Sequence, residues 1–226
     1  MINVFIGYDS TESSAYHVLC HSIAARSSMP VAFTPIRRST LRSLYARPRE
    51  ENESTDFSIT RFLAPFLGRY RGWGIYMDCD MLCLADIAEL WKMRDYRYAV
   101  QCVQHDYTPK STTKMRGNEQ AAYPKKNWSS LMLMNFAKCV NLTPSRVESS
   151  SGAYLHQFKW IDHECEIGDL PAEWNHLVGE YELPDKLPKI LHWTLGGPWW
   201  PEFKEAEYAK HWVDEYMRMN DESEYQ

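Results

Sequence analysis

Trp73-Gly74-Ile75-Tyr76-Met77-Asp78-Cys79-Asp80-Met81-Leu82 is the stretch from which the fold can be read. Residues 73–77 are apolar enough to form a buried strand, and two carboxylates one residue apart follow at its carboxyl end. In open α/β sheets, ligands bind outside the carboxyl ends of the strands. Two aspartates on one turn can share a hard cation such as Mn²⁺ or Mg²⁺, which keeps waters and takes ligand phosphates. An Asp-x-Asp tripeptide alone is more often a pair of solvated turn carboxylates, so its surroundings must decide.

Upstream, residues 2–6 read as a short β-branched strand that stops at the turn Gly7-Tyr8-Asp9-Ser10. Ser10 or Thr11 is placed to cap a helix over about 12–26, with Val18, Leu19, Ser22 and Ile23 on its core face. Met29-Pro30 breaks that helix, and 31–36 form a second strand. This makes a β-α-β unit, which favours right-handed parallel pairing. Residues 47–56 are a polar loop, and 58–70 carry a helical pattern through Ile59, Phe62, Leu63, Phe66 and Leu67.

Downstream, the pattern predicts a helix at 87–93, a strand at 98–103 and a strand at 130–134. Further helices follow Thr143 and cover 152–160, with a late strand at 189–193, a closing helix at 202–219 and a fraying acidic tail. Residues 104–126 form a polar segment long enough to suggest function. Alternating strands and helices predict one α/β domain, with a mainly parallel central sheet flanked by helices. It divides into two halves, 1–103 and 104–226, which would take different parts of a ligand.

The 226 residues suffice for one sizeable core. A net charge of -5 provides no footprint for nucleic acid. The six cysteines include no C-x-x-C pair and read as reduced thiols, and Cys79 and Cys83 read as packing residues. No apolar run has the length of a membrane span, and the N-terminus lacks the basic segment of a signal peptide, so a cytoplasmic protein is expected. The sequons at Asn52, Asn127 and Asn141 then carry no glycan.

Several residues around the Asp-x-Asp pair have matching chemistry. In the Gly7-Tyr8-Asp9 turn, Tyr8 could stack on a base and Asp9 accept from a base or ribose. Arg61, on the preceding helix, could neutralise Asp78 or reach a phosphate. His192 ends a strand and offers an imidazole for a mixed oxygen and nitrogen metal site. Gly196 and Gly197 would let backbone N–H groups approach a phosphate. His105-Asp106-Tyr107 is either part of a sugar pocket or a surface turn. Trp199-Trp200 reads as an exposed pair that packs on an acceptor or serves as a lid hinge, with core packing equally open.

Taken together, these segments resemble the GT-A glycosyltransferases, specifically the glycogenin-like and bacterial galactosyltransferase-like retaining group. The matching stretches are the first strand with Tyr8-Asp9, residues 60–65, and residues 75–82 followed by Ala85-Asp86-Ile87-Ala88-Glu89-Leu90. Residues 129–135, the run from Leu170 to Asn175, and His192 with Pro198-Trp199 complete the set. The resemblance implies a hexosyl or deoxyhexosyl transferase that uses a UDP-sugar donor and a glycan or other hydroxyl acceptor, with retention. It implies Mn²⁺ held by Asp78, Asp80 and His192, uracil and ribose at Tyr8 and Asp9, and the donor sugar along the strand that begins at Ser129-Ser130. Asp162, with Glu164 as second choice, would lie near the reacting carbon. Catalysis would be electrostatic, at the departing diphosphate.

Two departures stand out. The family's lysine before Pro-Trp is Gly197 here, which leaves the diphosphate to the backbone, to Lys110, Lys125 or Lys126, or without such a contact. Ser129-Ser130 replaces the family's Asn-small-Gly. A non-catalytic sugar- or nucleotide-binding pseudoenzyme is therefore an alternative. A phosphatase of the haloacid-dehalogenase type is another, but the threonine expected two positions after its second aspartate is Leu82.

Overall fold

The computed structural model describes residues 1–50, 53–110, 113–114, 118–119 and 123–221. The sequon at Asn52 and the acidic tail lie outside them. The central sheet has six strands: β1 (Ile2–Tyr8), β2 (Val31–Arg37), β3 (Trp73–Met77), β5 (Val100–Cys102), β8 (Leu131–Asn135) and β9 (Ile167–Asp169). Their order is β2-β1-β3-β8-β5-β9. The pairs β1/β2, β1/β3 and β5/β9 are parallel, whereas β8 is antiparallel to both β3 and β5. The sheet is thus mainly parallel, with one reversed strand near its middle.

Both faces are covered, as the alternation of side chains in the strands requires. Ile2, Val4, Ile6, Ile75, Met77, Leu131 and Leu133 point to the face covered by α1 (Ser13–Arg26), through Tyr16, Leu19 and Ile23. Phe5, Tyr76, Met132 and Met134 point the other way, onto Phe62, Leu63, Phe136 and Trp160. Burial of each such large apolar side chain contributes about 1.5–3 kcal/mol. The predicted face of α1 is the buried one. Its entry differs from expectation. Asp9, not Ser10 or Thr11, accepts from Thr11 N–H and caps a short 3-10 turn that runs into α1.

A second sheet, in the order β10-β11-β4, joins β4 (Met81–Cys83), β10 (His176–Leu177) and β11 (Ile190–His192). It places the residues after Asp80 antiparallel to the strand that ends at His192, with Met81 opposite His192. Residues 113–114 (β6) and 118–119 (β7) form a small hairpin.

The helices are shorter than predicted. Residues 58–70 resolve into a 3-10 turn, Thr60–Leu63, and α2, Ala64–Leu67, which carries Pro65 in its first turn. Arg69 and Tyr70 then adopt positive φ and end it. α3 spans Ile87–Lys92, α4 Pro144–Ser149 and α5 Gly152–His156. The chain leaves its helical course after α5, where Phe158 takes φ 57°. The closing helix, α6, spans only Ala209–Met219, because Tyr208 before it sits at φ 59°. All six cysteines are free thiols. Among the described residues no helix is long and apolar enough to cross a membrane.

Candidate active site

β3 and β4 hold Asp78 and Asp80 between two independent staples. Asp78 N–H donates to the Ser130 carbonyl at 2.9 Å, and Trp193 N–H donates to the Asp80 carbonyl at 3.0 Å. The first staple comes from the residue just before the antiparallel β8 and the second from the residue just after β11. The turn is therefore fixed on both sides by strands remote in sequence.

Asp78, Asp80 and His192 are all buried, and one ligand atom from each lies within 4.8 Å of the others. Asp80 Oδ1 stands 3.3 Å from His192 Nε2 and, among the described residues, makes no hydrogen bond. The tautomer of His192 follows from its neighbours. Ser130 Oγ–H donates to the Asn127 carbonyl at 2.6 Å, so Ser130 Oγ must accept from Asn175 Nδ2 at 2.9 Å. Asn175 then turns its Oδ1 to His192 Nδ1 at 2.9 Å, and the proton resides on Nδ1. Nε2 keeps its lone pair and directs it at the carboxylates. Two oxygens and an imidazole nitrogen form a donor set suited to Mn²⁺ or another first-row divalent ion.

Asp78 has further partners. Arg61 Nη1 lies 3.0 Å from Asp78 Oδ1, and Tyr76 Oη donates to the same oxygen at 2.7 Å. Arg61 also donates from Nη1 to the Ser129 carbonyl and from Nε to the Ser58 carbonyl. Burial raises the Asp78 carboxyl above its ordinary value, and the Arg61 charge only partly offsets that rise. Glu12, which sequence reasoning missed, is buried beneath the motif, where Cys79 Sγ approaches its Oε2 at 3.7 Å. Burial and the charges of Asp80, Asp9 and Asp78 push the Glu12 carboxyl well up.

Asp78, Asp80 and His192 open on a cavity of about 600 Å³. Arg61, Ser129, Lys126, His156, Gln157 and Glu53 are among its walls. Ser129 Oγ and His156 Nδ1 are 2.8 Å apart. His156 and Gln157 fell in a segment predicted only as helix, and no local signal marked them. Of the three candidate lysines, Lys126 lines this cavity, Lys125 pairs with Glu164 at 2.7 Å and Lys110 lies 3.5 Å from Glu182.

Other expected site residues are placed elsewhere. Asp162 and Glu164 are exposed and do not line the cavity. Asp9 is committed to local structure, accepting from Thr11 N–H, Thr11 Oγ1 and Asp56 N–H. Burial opposes its charge, but these bonds prevail and keep its carboxyl below the ordinary range. Tyr8 bonds Ser13 Oγ, and its ring packs on Tyr16 beneath the Arg37 guanidinium. A Cβ on Gly7 would strike the Phe57 ring, so that glycine admits Phe57 to the strand end. Gly196 spends its N–H on the Trp193 carbonyl, and neither Gly196 nor Gly197 lines the cavity. Those glycines make room for rings instead, since a Cβ on Gly197 would fall 2.1 Å from Trp199 and one on Gly196 2.5 Å from Phe203. Trp199 is not an exposed platform; it packs on Trp193 and Trp212. His105 is buried against Tyr181, to which its Nδ1 is bonded at 2.7 Å, and burial lowers its pKa to about 3.

The chain is 49% identical over 228 residues to Protein CDI of Arabidopsis thaliana, an alignment that covers 97% of this chain and 88% of that protein. The chain belongs to the CDI family. No protein-family model matches the sequence. Among solved structures, this CDI-family chain resembles WbbM, a bifunctional glycosyltransferase, with TM-score 0.65 at 15% identity over 96% of the chain. It resembles the glycosyltransferase GlyE of Streptococcus pneumoniae with TM-score 0.62 at 14% identity over 96% of the chain. The chain spans 51% of the WbbM structure and 60% of GlyE. The galactosyltransferase LgtC, solved with donor and acceptor sugar analogues, matches over 99% of this chain and 98% of its own, with TM-score 0.58 at 12% identity. The CDI-family fold is therefore the GT-A glycosyltransferase fold.

Proposed function

We propose that this chain is a metal-dependent glycosyltransferase that moves a sugar from a UDP-sugar to a hydroxyl acceptor, with retention. The observation that supports this most directly is the trio of Asp78, Asp80 and the Nε2 lone pair of His192, gathered at the wall of the cavity. Asp80 Oδ1, buried without a hydrogen bond, fits a cation ligand better than a structural acceptor. A divalent ion bound there supplies Lewis-acid stabilisation of the departing diphosphate.

The chain's own residues do the rest. Arg61 is buried between Asp78 and the Ser129 carbonyl and offsets part of the carboxylate charge that the site concentrates. Lys126, at the cavity wall, is the cation assigned to the diphosphate in place of the family's missing lysine. The sugar would occupy the space between Ser129, His156 and Gln157. His156 and Gln157, rather than Asp162 and Glu164, are then the side chains set to face the reacting carbon.

Calorimetry with a panel of nucleotides tests the proposal, with and without Mn²⁺, on the natural protein and Asp80→Ala. The expected result is Mn²⁺-dependent binding of UDP that disappears in the variant. Binding of a different nucleoside diphosphate would retain the transferase but replace the donor. No nucleotide binding under any metal would remove the transferase and leave the phosphatase and binding-module alternatives.

A further inference from the structure

Glu53 is an unusual residue for a loop. Its N–H donates to the Glu50 carbonyl at 3.1 Å, its own carbonyl accepts from Arg49 Nε and Nη2 at 3.2 and 3.0 Å, and its Oε2 accepts from Arg38 Nη1 at 3.3 Å. Main chain and side chain are thus both fixed. Yet Oε1 is buried and, among the described residues, has no hydrogen-bond partner. The Tyr45 hydroxyl is likewise buried and, among the described residues, has no hydrogen-bond partner. Glu53 lines the same cavity as the Asp78, Asp80 and His192 trio. The same loop is tied to the opposite wall by Arg47, whose Nη1 donates to the Ser150 carbonyl at 2.6 Å, just before α5.

A buried carboxylate oxygen without a partner costs free energy that a ligand donor recovers on binding. Sugar hydroxyls are such donors, and a fixed carboxylate gives them a strong, directional acceptor. We propose that Glu53 is a specificity-determining residue for the donor, its Oε1 accepting from a hydroxyl of the sugar. The proposal rests on the transferase assignment above. It also defines the sugar class. Arg38 and Arg47 are already paired with Glu53 and Glu50, so a hexuronate would bring an unmatched negative charge to this wall, whereas a neutral sugar brings only donors.

The test compares Mn²⁺-supported binding of UDP, UDP-glucose, UDP-galactose, UDP-xylose and UDP-glucuronate to the natural protein and to Glu53→Gln. UDP should bind both proteins equally. The best-bound neutral UDP-sugar should weaken about tenfold in Glu53→Gln, as expected when a charge-assisted bond becomes a neutral one. In the natural protein UDP-glucuronate should bind at least about tenfold more weakly than that neutral sugar. An equal loss for UDP and UDP-sugar would make Glu53 a structural residue and overturn the proposal, as would no loss for any sugar. If UDP itself fails to bind the natural protein, the transferase assignment falls first, and this proposal with it. If Glu53→Gln does not fold, the natural protein decides alone, and equal affinity for neutral and uronate donors overturns the proposal.

Discussion

The side-chain carbonyl of Asn175 accepts the Nδ1–H of His192 across 2.9 Å, and that bond leaves the Nε2 lone pair facing Asp80. Outer partners of this kind set both the tautomer and the ring direction of a ligand histidine. Asn175→Ala should lower Mn²⁺ affinity by about 10–100-fold. Asn175→Asp keeps an acceptor toward His192 and should retain most of it. Titration of Mn²⁺ by calorimetry separates the two variants, and equal losses would show that Asn175 only packs.

Arg61 and Asp78 form a buried ion pair at 3.0 Å. Removing one member of such a pair leaves the other charge uncompensated. Arg61→Ala should therefore destabilise the protein by about 3–5 kcal/mol. Arg61→Lys should be only a partial rescue, because an ammonium cannot reach Asp78 and the Ser58 and Ser129 carbonyls together. Urea denaturation of the three proteins reads the difference directly.

Glu215, on α6, is buried and receives His21 at 2.7 Å and Arg26 at 2.6 Å, both from α1. Burial works against its charge, but the Arg26 and His21 bonds outweigh it and hold the carboxyl below its ordinary 4.5. The unfolded chain therefore takes up this proton at a higher pH than the folded one. The stabilisation is complete above the unfolded value and is lost as pH falls through the folded one. Melting temperatures measured from about pH 7 down to pH 3 should fall more gently for Glu215→Gln than for the natural protein, from a lower start.

Gly197 faces the Trp199 ring, and an added methyl would meet it at 2.1 Å. Gly197→Ala must push Trp199 off Trp193 and Trp212, at a cost of about 1–3 kcal/mol. Near-ultraviolet circular dichroism and the melting temperature should both change. Mn²⁺ affinity should not, since Gly197 does not line the cavity.

What the sequence disclosed was what local pattern encodes. An apolar strand that ends in Asp78-Cys79-Asp80 needs no distant partner to be recognised, and the face of α1 follows from its spacing. Pro65 and the positive φ of Tyr70, Phe158 and Tyr208 shortened the helices, because a periodic apolar pattern does not register a backbone reversal. The two-residue β10 and the antiparallel course of β8 are consequences of pairing across the fold. The site divides in the same way. Asp78, Asp80 and His192 were named from motif and resemblance. The contacts of Asn175, Glu12 and Glu53 emerge only when segments far apart in the chain are brought together, and the bonds made by Asp9 and Gly196 are likewise seen only in the folded structure.

β4 finds its partner in β11, and β3 finds its partner in β8, across long intervals of chain. Pairings of such separation pay loop-closure entropy before they return any contact, so they form slowly. On a ribosome, Asp78 and Asp80 would emerge well before Ser130 and His192 exist to hold them. During that interval the nascent chain carries two carboxylates with nothing to define a metal geometry. A metal site built on this trio would thus be completed late, and metal uptake would then serve as a kinetic marker for the finished fold.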